Sequence, residues 1–365
     1  MSISTPPRAE ASAPALGYLA GIGTVFGLEI RQRVRNRGWY IMLGIWFVVV
    51  AAVVGLAALS AGQDEFGPGQ VMFELVIAFV LFFGMLIAPA LSANSITGDR
   101  ANGTLAILQN TLLTPGQLLW GKWLASWAAS LGFLVVTLPL IGWAMTYGDV
   151  YLPAAPVLLG MLALQLAIVC ALGVGVSALA NRTLFAVMIT YLLVAMLGIG
   201  TLIAYGLSMQ LVKTEVQVSN QVWPDEYMAE NSYVEWDGDN YTCETRTYTQ
   251  QTYATERITW LLAANPFVVV ADAAPQAPTT EDPSMFAPAG PMGSISMGVR
   301  YSQAGPAYQM ACLNGVKNTE LPPTPAPLWP LGLGIQVLLA GGILAAGRNK
   351  LKTPAGRLAS GTRIA

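Results

Sequence analysis

The 365-residue chain contains no histidine, only three cysteines, and few charges: 10% of its residues are Asp, Glu, Lys or Arg. Without histidine, the usual base of a nucleophile triad and the usual nitrogen ligand of zinc are both missing. Among paired carboxylates, Asp225-Glu226 and Asp237 with Asp239 are the nearest candidates for acid–base or metal chemistry. Solvated surface charge explains these pairs, and Asp237-Gly238-Asp239-Asn240 is too short a match for a calcium loop. Ionisable groups are also lacking in the middle of the long apolar stretches. A carrier driven by an ion gradient keeps such groups at mid-membrane despite their cost, so proton or sodium coupling within this chain is not expected. Glu74 and Lys122 lie near the ends of apolar stretches, within snorkelling reach of an interface, and Gln165 is the most evident polar residue deep inside one.

Apolar sequence is what the chain has in quantity, at 54% of residues. Soluble domains carry roughly 25% charge, and a soluble fold of this composition could not cover its apolar surface. Six runs are long enough to cross a bilayer core of about 30 Å as helices. They are Ile41 to Ala61, Val71 to Ala93, Trp123 to Thr146, Pro153 to Ala180, Leu184 to Val212 and Leu328 to Gly347. Leu16 to Leu28 is too short to span, is interrupted by glycines, and ends at Glu29 and a basic cluster, which fits a helix lying in the interface. A signal peptide fits less well, because Glu10 falls in its would-be basic region and the arginines follow the apolar stretch.

Lys and Arg sort by side along this six-span path. Arg31, Arg33, Arg35 and Arg37 precede the first span, and Arg348, Lys350, Lys352, Arg357 and Arg363 follow the last. Arg100, Lys122 and Arg182 mark the even-numbered turns on the same side, whereas Gln63 to Gln70 and Gly148 to Leu152 carry no Lys or Arg. The positive-inside rule makes both termini cytoplasmic. Lys213 to Pro327 then lies outside, with five basic residues against thirteen acidic ones.

Cys243 and Cys312 fall in that outer segment, where oxidising conditions permit a disulfide; two free thiols or a metal site are the alternatives, the latter without any histidine to complete it. A bridge would close a loop of about 70 residues, for which chain entropy predicts about 4 kcal/mol. Cys170 lies inside span 4 as a small apolar residue. Tyr241 to Trp260 is rich in Thr and Tyr and predicts β-structure, and Ala274 to Pro291 and Pro322 to Pro330 are proline-rich connectors. Ile258 to Ala273 is apolar but broken at Asn265-Pro266. It reads either as two half-helices dipping towards the membrane or as core of the outer domain. Trp223, Tyr227, Tyr233, Trp236, Tyr241, Tyr248 and Tyr253 are core and rim residues or, less commonly, a ligand surface. Gly116 to Lys122 matches a phosphate loop up to its lysine, but Trp123 stands where the hydroxyl residue belongs and an apolar helix follows, so the match is a coincidence.

Two segments carry a resemblance. One is Glu29-Ile-Arg-Gln-Arg-Val-Arg-Asn-Arg37; the other runs from Gly98-Asp-Arg-Ala-Asn-Gly-Thr-Leu105 through Thr114-Pro115 to Gly121-Lys122. In order and spacing they resemble the membrane permease subunits of ABC-2 type, drug-exporter-like ABC transporters, with Asn265-Pro266-Phe267 as a further similarity. Gly116-Gln117 and Ala106 depart from the family pattern. The resemblance implies that Glu29, Arg31, Arg35, Asp99, Arg100, Gly103, Thr104, Leu105, Thr114, Pro115 and Lys122 couple the chain to a separate cytoplasmic ABC ATPase. ATP and Mg would bind that partner, with no cofactor on this chain. It also implies a second permease subunit, identical or homologous, and export as the usual direction; no nucleic acid partner is expected.

The expectation is therefore an all-α polytopic membrane protein of the cell membrane. Six transmembrane helices follow an N-terminal interfacial helix, and a small β-rich or mixed extracytoplasmic domain lies between spans 5 and 6. The parts are a cytoplasmic tail and interfacial helix (1–38), spans 1–5 (39–212) with a coupling loop (95–121), the outer domain (213–327), span 6 (328–347) and a cytoplasmic tail (348–365). A polytopic anchor presenting the outer domain, without transport, is the alternative, and a membrane enzyme ranks third.

Overall fold

The structure, a computed structural model, describes residues 17–61, 68–104, 113–147, 150–222, 241–275, 290–306, 310–317 and 326–352. A helix, α1 (Tyr18–Arg35), precedes the bundle and breaks at Asn36, whose extended backbone turns the chain into α2 (Arg37–Ala61), span 1. Span 2 is α3 (Pro68–Ser92), followed by a short helix α4 (Thr97–Ala101). Span 3 is α5 (Pro115–Ala144), span 4 is α6 (Ala154–Leu179), and span 5 is α7 (Thr183–Ala195) continued through a π-turn (Met196–Gly200) into α8 (Thr201–Ser208). After the sheet and two short helices, span 6 is α11 (Trp329–Leu351). Six helices are thus long and apolar enough to cross a membrane.

Span 4 is the central element, touching spans 2, 3, 5 and 6 and burying most of its residues. Trp123 and Trp127 of span 3 stack on one another and each donates its indole N–H to a span 4 carbonyl, Ala167 and Ala163 respectively, at 2.9 Å. Span 3 begins at Pro115, eight residues before the apolar run. Thr114 caps it by accepting from the Gln117 amide, Gln117 answers by accepting from the Thr114 amide, and Pro115 presets the first turn. Residues 115–121, placed in a coupling loop from sequence, are therefore the first two turns of a helix, as is the phosphate-loop lookalike.

The segment between spans 5 and 6 is mixed. Strands β1 (Lys213–Val222) and β2 (Thr242–Tyr253) pair antiparallel from Lys213↔Tyr253 to Val222↔Thr242, and a small hairpin of β3 (Cys312–Leu313) and β4 (Val316–Lys317) extends the sheet in the order β2-β1-β3-β4. Most side chains of the ribbon are exposed. A covalent staple, the Cys243–Cys312 disulfide with Cα atoms 5.8 Å apart, ties β2 to β3.

Much of the rest of the described segment packs onto the bundle. Helices α9 (Pro266–Ala273) and α10 (Pro291–Ala304) contribute Val269, Val270, Ala271 and Met292 to the apolar core of the spans. The break at Asn265-Pro266 thus separates two short helical pieces, which pack against spans and also supply Leu262, Ala263 and Val268 to a small buried cluster with Val299 of α10 and Leu328. Trp223, Tyr227, Tyr233, Trp236, Asp225, Glu226, the Asp237 to Asn240 cluster, most of the first proline-rich connector and residues Pro322 to Pro325 of the second lie outside the described residues.

Two carboxylates fasten these helices. Glu74 does not snorkel; it is 6% exposed, and its Oε2 accepts the Gly293 amide of the first turn of α10 at 2.7 Å. Its Oε1 accepts from Gln70, which in turn accepts the Tyr151 amide. Asp272, at the end of α9, accepts the Leu328 and Trp329 amides at 2.6 and 3.0 Å and so caps span 6. Carboxylates are favoured at such helix starts because unsatisfied N–H groups and the helix dipole both point there. Gly332 lets span 6 pass against the Ala263 carbonyl, where a Cβ would have no room.

Candidate functional site

One face of α1 reads Gly21, Val25, Glu29, Arg33. A spacing of four places these residues in a single row along a helix, and that row lies on the first turns of span 3. The Gln117 side chain donates to the Tyr18 carbonyl at 3.3 Å and packs against Gly21. Gly121 faces Val25, and a Cβ at Gly121 would come within 2.6 Å of the Val25 Cβ. Replacing Gly121 with valine is expected to push α1 from span 3 and to cost about 1–3 kcal/mol, the usual range for overpacking. Unfolding of the purified chain in detergent measures it; an unchanged midpoint would mean that α1 is not seated as described.

The next contact along the row is ionic. Lys122 is 2% exposed, and its ammonium bonds Glu29 of α1 and, at 2.7 Å, Asp99 of α4. An ammonium at this depth would be costly alone. Two carboxylates brought from separate elements make the position stable, so Lys122, like Glu74, is buried where snorkelling was expected. The charge left over from two carboxylates and one ammonium is offset by Arg33, one turn after Glu29. Arg33 donates to the Leu91 carbonyl at 3.1 Å and to Ser126 at 3.4 Å, joining α1 to the end of span 2. Burial pulls its guanidinium below the ordinary arginine range, and Glu29 opposes that shift.

Helix α4 is seated from its other side by span 4. The Ser177 hydroxyl accepts the Ile96 and Thr97 amides, both at 3.0 Å. Arg100 does not face outward: its guanidinium bonds the Ala180 carbonyl and reaches Asn181 at 3.5 Å, while Lys350 of span 6 bonds the Leu179 carbonyl and Asn181. Two cations thus satisfy the last carbonyls of span 4, the negative end of its dipole. Thr104 donates to the Asp99 carbonyl, and Gly103, at φ 74°, makes the left-handed turn that ends the short helix.

Of the residues singled out from sequence, the structure joins Glu29, Asp99 and Lys122 in one ion network. It places Arg100, Gly103 and Thr104 around α4 and uses Thr114 and Pro115 to start span 3. Arg31 and Arg35 are exposed and make no contact with this cluster among the described residues, and Leu105 lies outside them. Sequence reasoning missed Arg33, Gln117 and Ser177 as parts of the site. The four-residue spacing from Gly21 to Arg33 was the available signal for Arg33.

Between α1, span 1 and the end of span 2 the cluster borders an open cavity of about 390 Å³, walled by Gln32, Asn36, Trp39, Asn94, Ser95 and Asn102 among others. The Ser95 hydroxyl is buried without a hydrogen-bond partner among the described residues. The contacts of the cluster tie α1 and α4 to span 3 through Lys122, and the α4 region to span 4 through Ser177 and Arg100.

Comparison with known proteins gives a consistent result. The sequence pattern of ABC-2 family transporter proteins matches residues 24–295. A protein described as a probable ABC transporter permease, NosY, from Pseudomonas aeruginosa is 31% identical over 124 residues, 33% of this chain and 42% of that protein. Its namesake from Stutzerimonas stutzeri is 30% identical over 135 residues, covering 37% and 47%. The aligned region thus spans less than half the length of these relatives.

Proposed function

This chain belongs to the ABC-2 family of transporter proteins, and on that footing we propose that it is the membrane permease subunit of an ABC transporter, driven by a separate ATPase. The observation that carries the reading is the ion network of Glu29, Lys122 and Asp99. It fixes α1 and α4, two elements outside the apolar runs, to the start of a span, which is the linkage a bundle needs if the work arrives from another protein.

In this reading the end of the bundle holding α1, α4 and the end of span 6 faces the cytoplasm. The charge distribution supports that placement, as does a disulfide at the opposite end, where the sheet would be extracytoplasmic. Helix α1, with its apolar and basic residues, lies in the interface. The region from Asp99 to Pro115 meets the ATPase, which binds ATP and Mg. A second permease subunit completes the path, and export across the cell membrane is the direction. The sites of Asp99 and Arg100 refine the expected contact: both are held inside the subunit, so they shape and anchor α4, while the surface offered to the partner is the rest of the segment.

The reading is tested by co-purification of the full chain with candidate ATPases, followed by ATPase assay in lipid. Association is expected, with ATP turnover reduced about tenfold or more, the size of one lost charge-assisted contact, by Asp99→Ala and Gly103→Val. If no ATPase associates, transport is excluded and a polytopic anchor for the sheet becomes the better description.

A further inference from the structure

Span 5 is not a continuous α-helix. At Met196–Gly200 it is wound as a π-turn, and the Thr201 amide reaches back five residues to the Met196 carbonyl. The Leu197 carbonyl, which that amide would serve in an α-helix, accepts the Thr201 hydroxyl instead, at 2.8 Å. Asn265 completes the arrangement from outside the span. Only 1% exposed, it donates its amide to the Gly198 carbonyl at 2.8 Å and to the Thr201 hydroxyl oxygen at 2.9 Å. The same side chain accepts the Phe267 amide at 2.9 Å, capping α9.

A π-turn holds one residue more than the α-helix it interrupts. Relaxing it to α-helix would turn the two halves of span 5 against one another by about 100° and lengthen the span by about 1.5 Å. The piece carrying Asn265 is itself fixed to span 6, since Gln336 donates to the Ala264 carbonyl at 3.0 Å and Asp272 caps the Leu328 and Trp329 amides.

We propose that Asn265 is the positioning residue of a rotary joint in span 5, holding the π-turn wound in the present state and releasing it when spans 5 and 6 separate during transport. This rests on the permease reading for its purpose, but not for its structural part.

Hydrogen–deuterium exchange of the full chain in lipid nanodiscs tests the structural part without any ATPase. Asn265→Ser keeps a capping oxygen for α9 but is too short to serve Gly198. Exchange across residues 196–203 is expected to quicken about tenfold or more, as for the loss of a buried hydrogen bond, while residues 266–273 stay protected. No change in 196–203, or equal loss in both segments, would overturn the proposal. Deleting Ile199, which is exposed, removes the extra residue and leaves both halves of span 5 facing as they do. Exchange in 196–203 should then become insensitive to Asn265→Ser; persisting sensitivity would also count against it.

With the co-purifying ATPase bound, the deletion is expected to preserve assembly and lower coupled ATP turnover about tenfold, as an interaction needed only during the cycle would. Normal turnover would refute the joint. If the unmodified chain binds no ATPase, the permease reading fails and the joint loses its purpose, while the exchange result still decides whether Asn265 holds the π-turn.

Discussion

Replacing Lys122 with methionine is expected to lower the unfolding free energy by about 3 kcal/mol and to abolish coupled ATP turnover. Breaking one partner of a buried ion pair costs about 3–5 kcal/mol, because the charge left behind has no counter-ion. Here two carboxylates are left, but Glu29 and Asp99 are 20% and 25% exposed. They can draw water, which places the loss at the low end of the range. The triple variant Glu29→Gln, Asp99→Asn, Lys122→Met removes all three charges but leaves Arg33 without Glu29 as its counter-charge, and is expected to regain only part of that stability. It should not regain coupling, because the link from α1 and α4 to span 3 is gone. Denaturant unfolding in detergent and ATPase assay of the assembled transporter measure the two effects. A single variant as stable as the parent would contradict the buried network, and a triple variant with normal turnover would deny it any part in coupling.

The six spans were legible because length and apolarity suffice to mark a bilayer crossing, and each predicted run lies within or nearly within an observed helix. Their starts were less so. Span 3 begins at Pro115 because Thr114 and Gln117 cap each other, a local polar signal hidden by the stronger apolar run at Trp123. In α1 the glycines counted against a spanning helix, yet Gly21 and its neighbours at intervals of four form the contact face with span 3. A helix does form there, and its packing was visible only once span 3 was present.

The residues of the site were identified by resemblance more than by physics. Lys122 reads as a snorkelling lysine when its own helix is considered alone; its burial depends on Glu29 and Asp99, which are 93 and 23 residues away in sequence. Arg100 reads as an outward contact for the same reason, since its acceptor is the end of another span. Asp272 was not singled out from sequence, yet it is 4% exposed. Periodicity reports which face of a helix is apolar, and it does not report which distant amide a carboxylate will meet.

Asp272 also carries the second large expectation. Asp272→Ala should cost about 2–6 kcal/mol, because it orphans the Leu328 and Trp329 amides at the start of span 6 and each buried amide left unsatisfied costs about 1–3 kcal/mol. Water relieves such groups poorly beside an apolar bundle. Arg300, 3.9 Å from Asp272 and 40% exposed, is free to turn to solvent and adds little. Asp272→Asn keeps one acceptor oxygen in place and is expected to lose less than half as much, which separates the hydrogen bonds from the charge. Span 6 should fray first in the alanine variant, so a thiol placed at Leu331 would be labelled faster than in the parent. Equal labelling rates together with unchanged unfolding would show that span 6 starts without its cap, and that α9 is held by apolar packing alone.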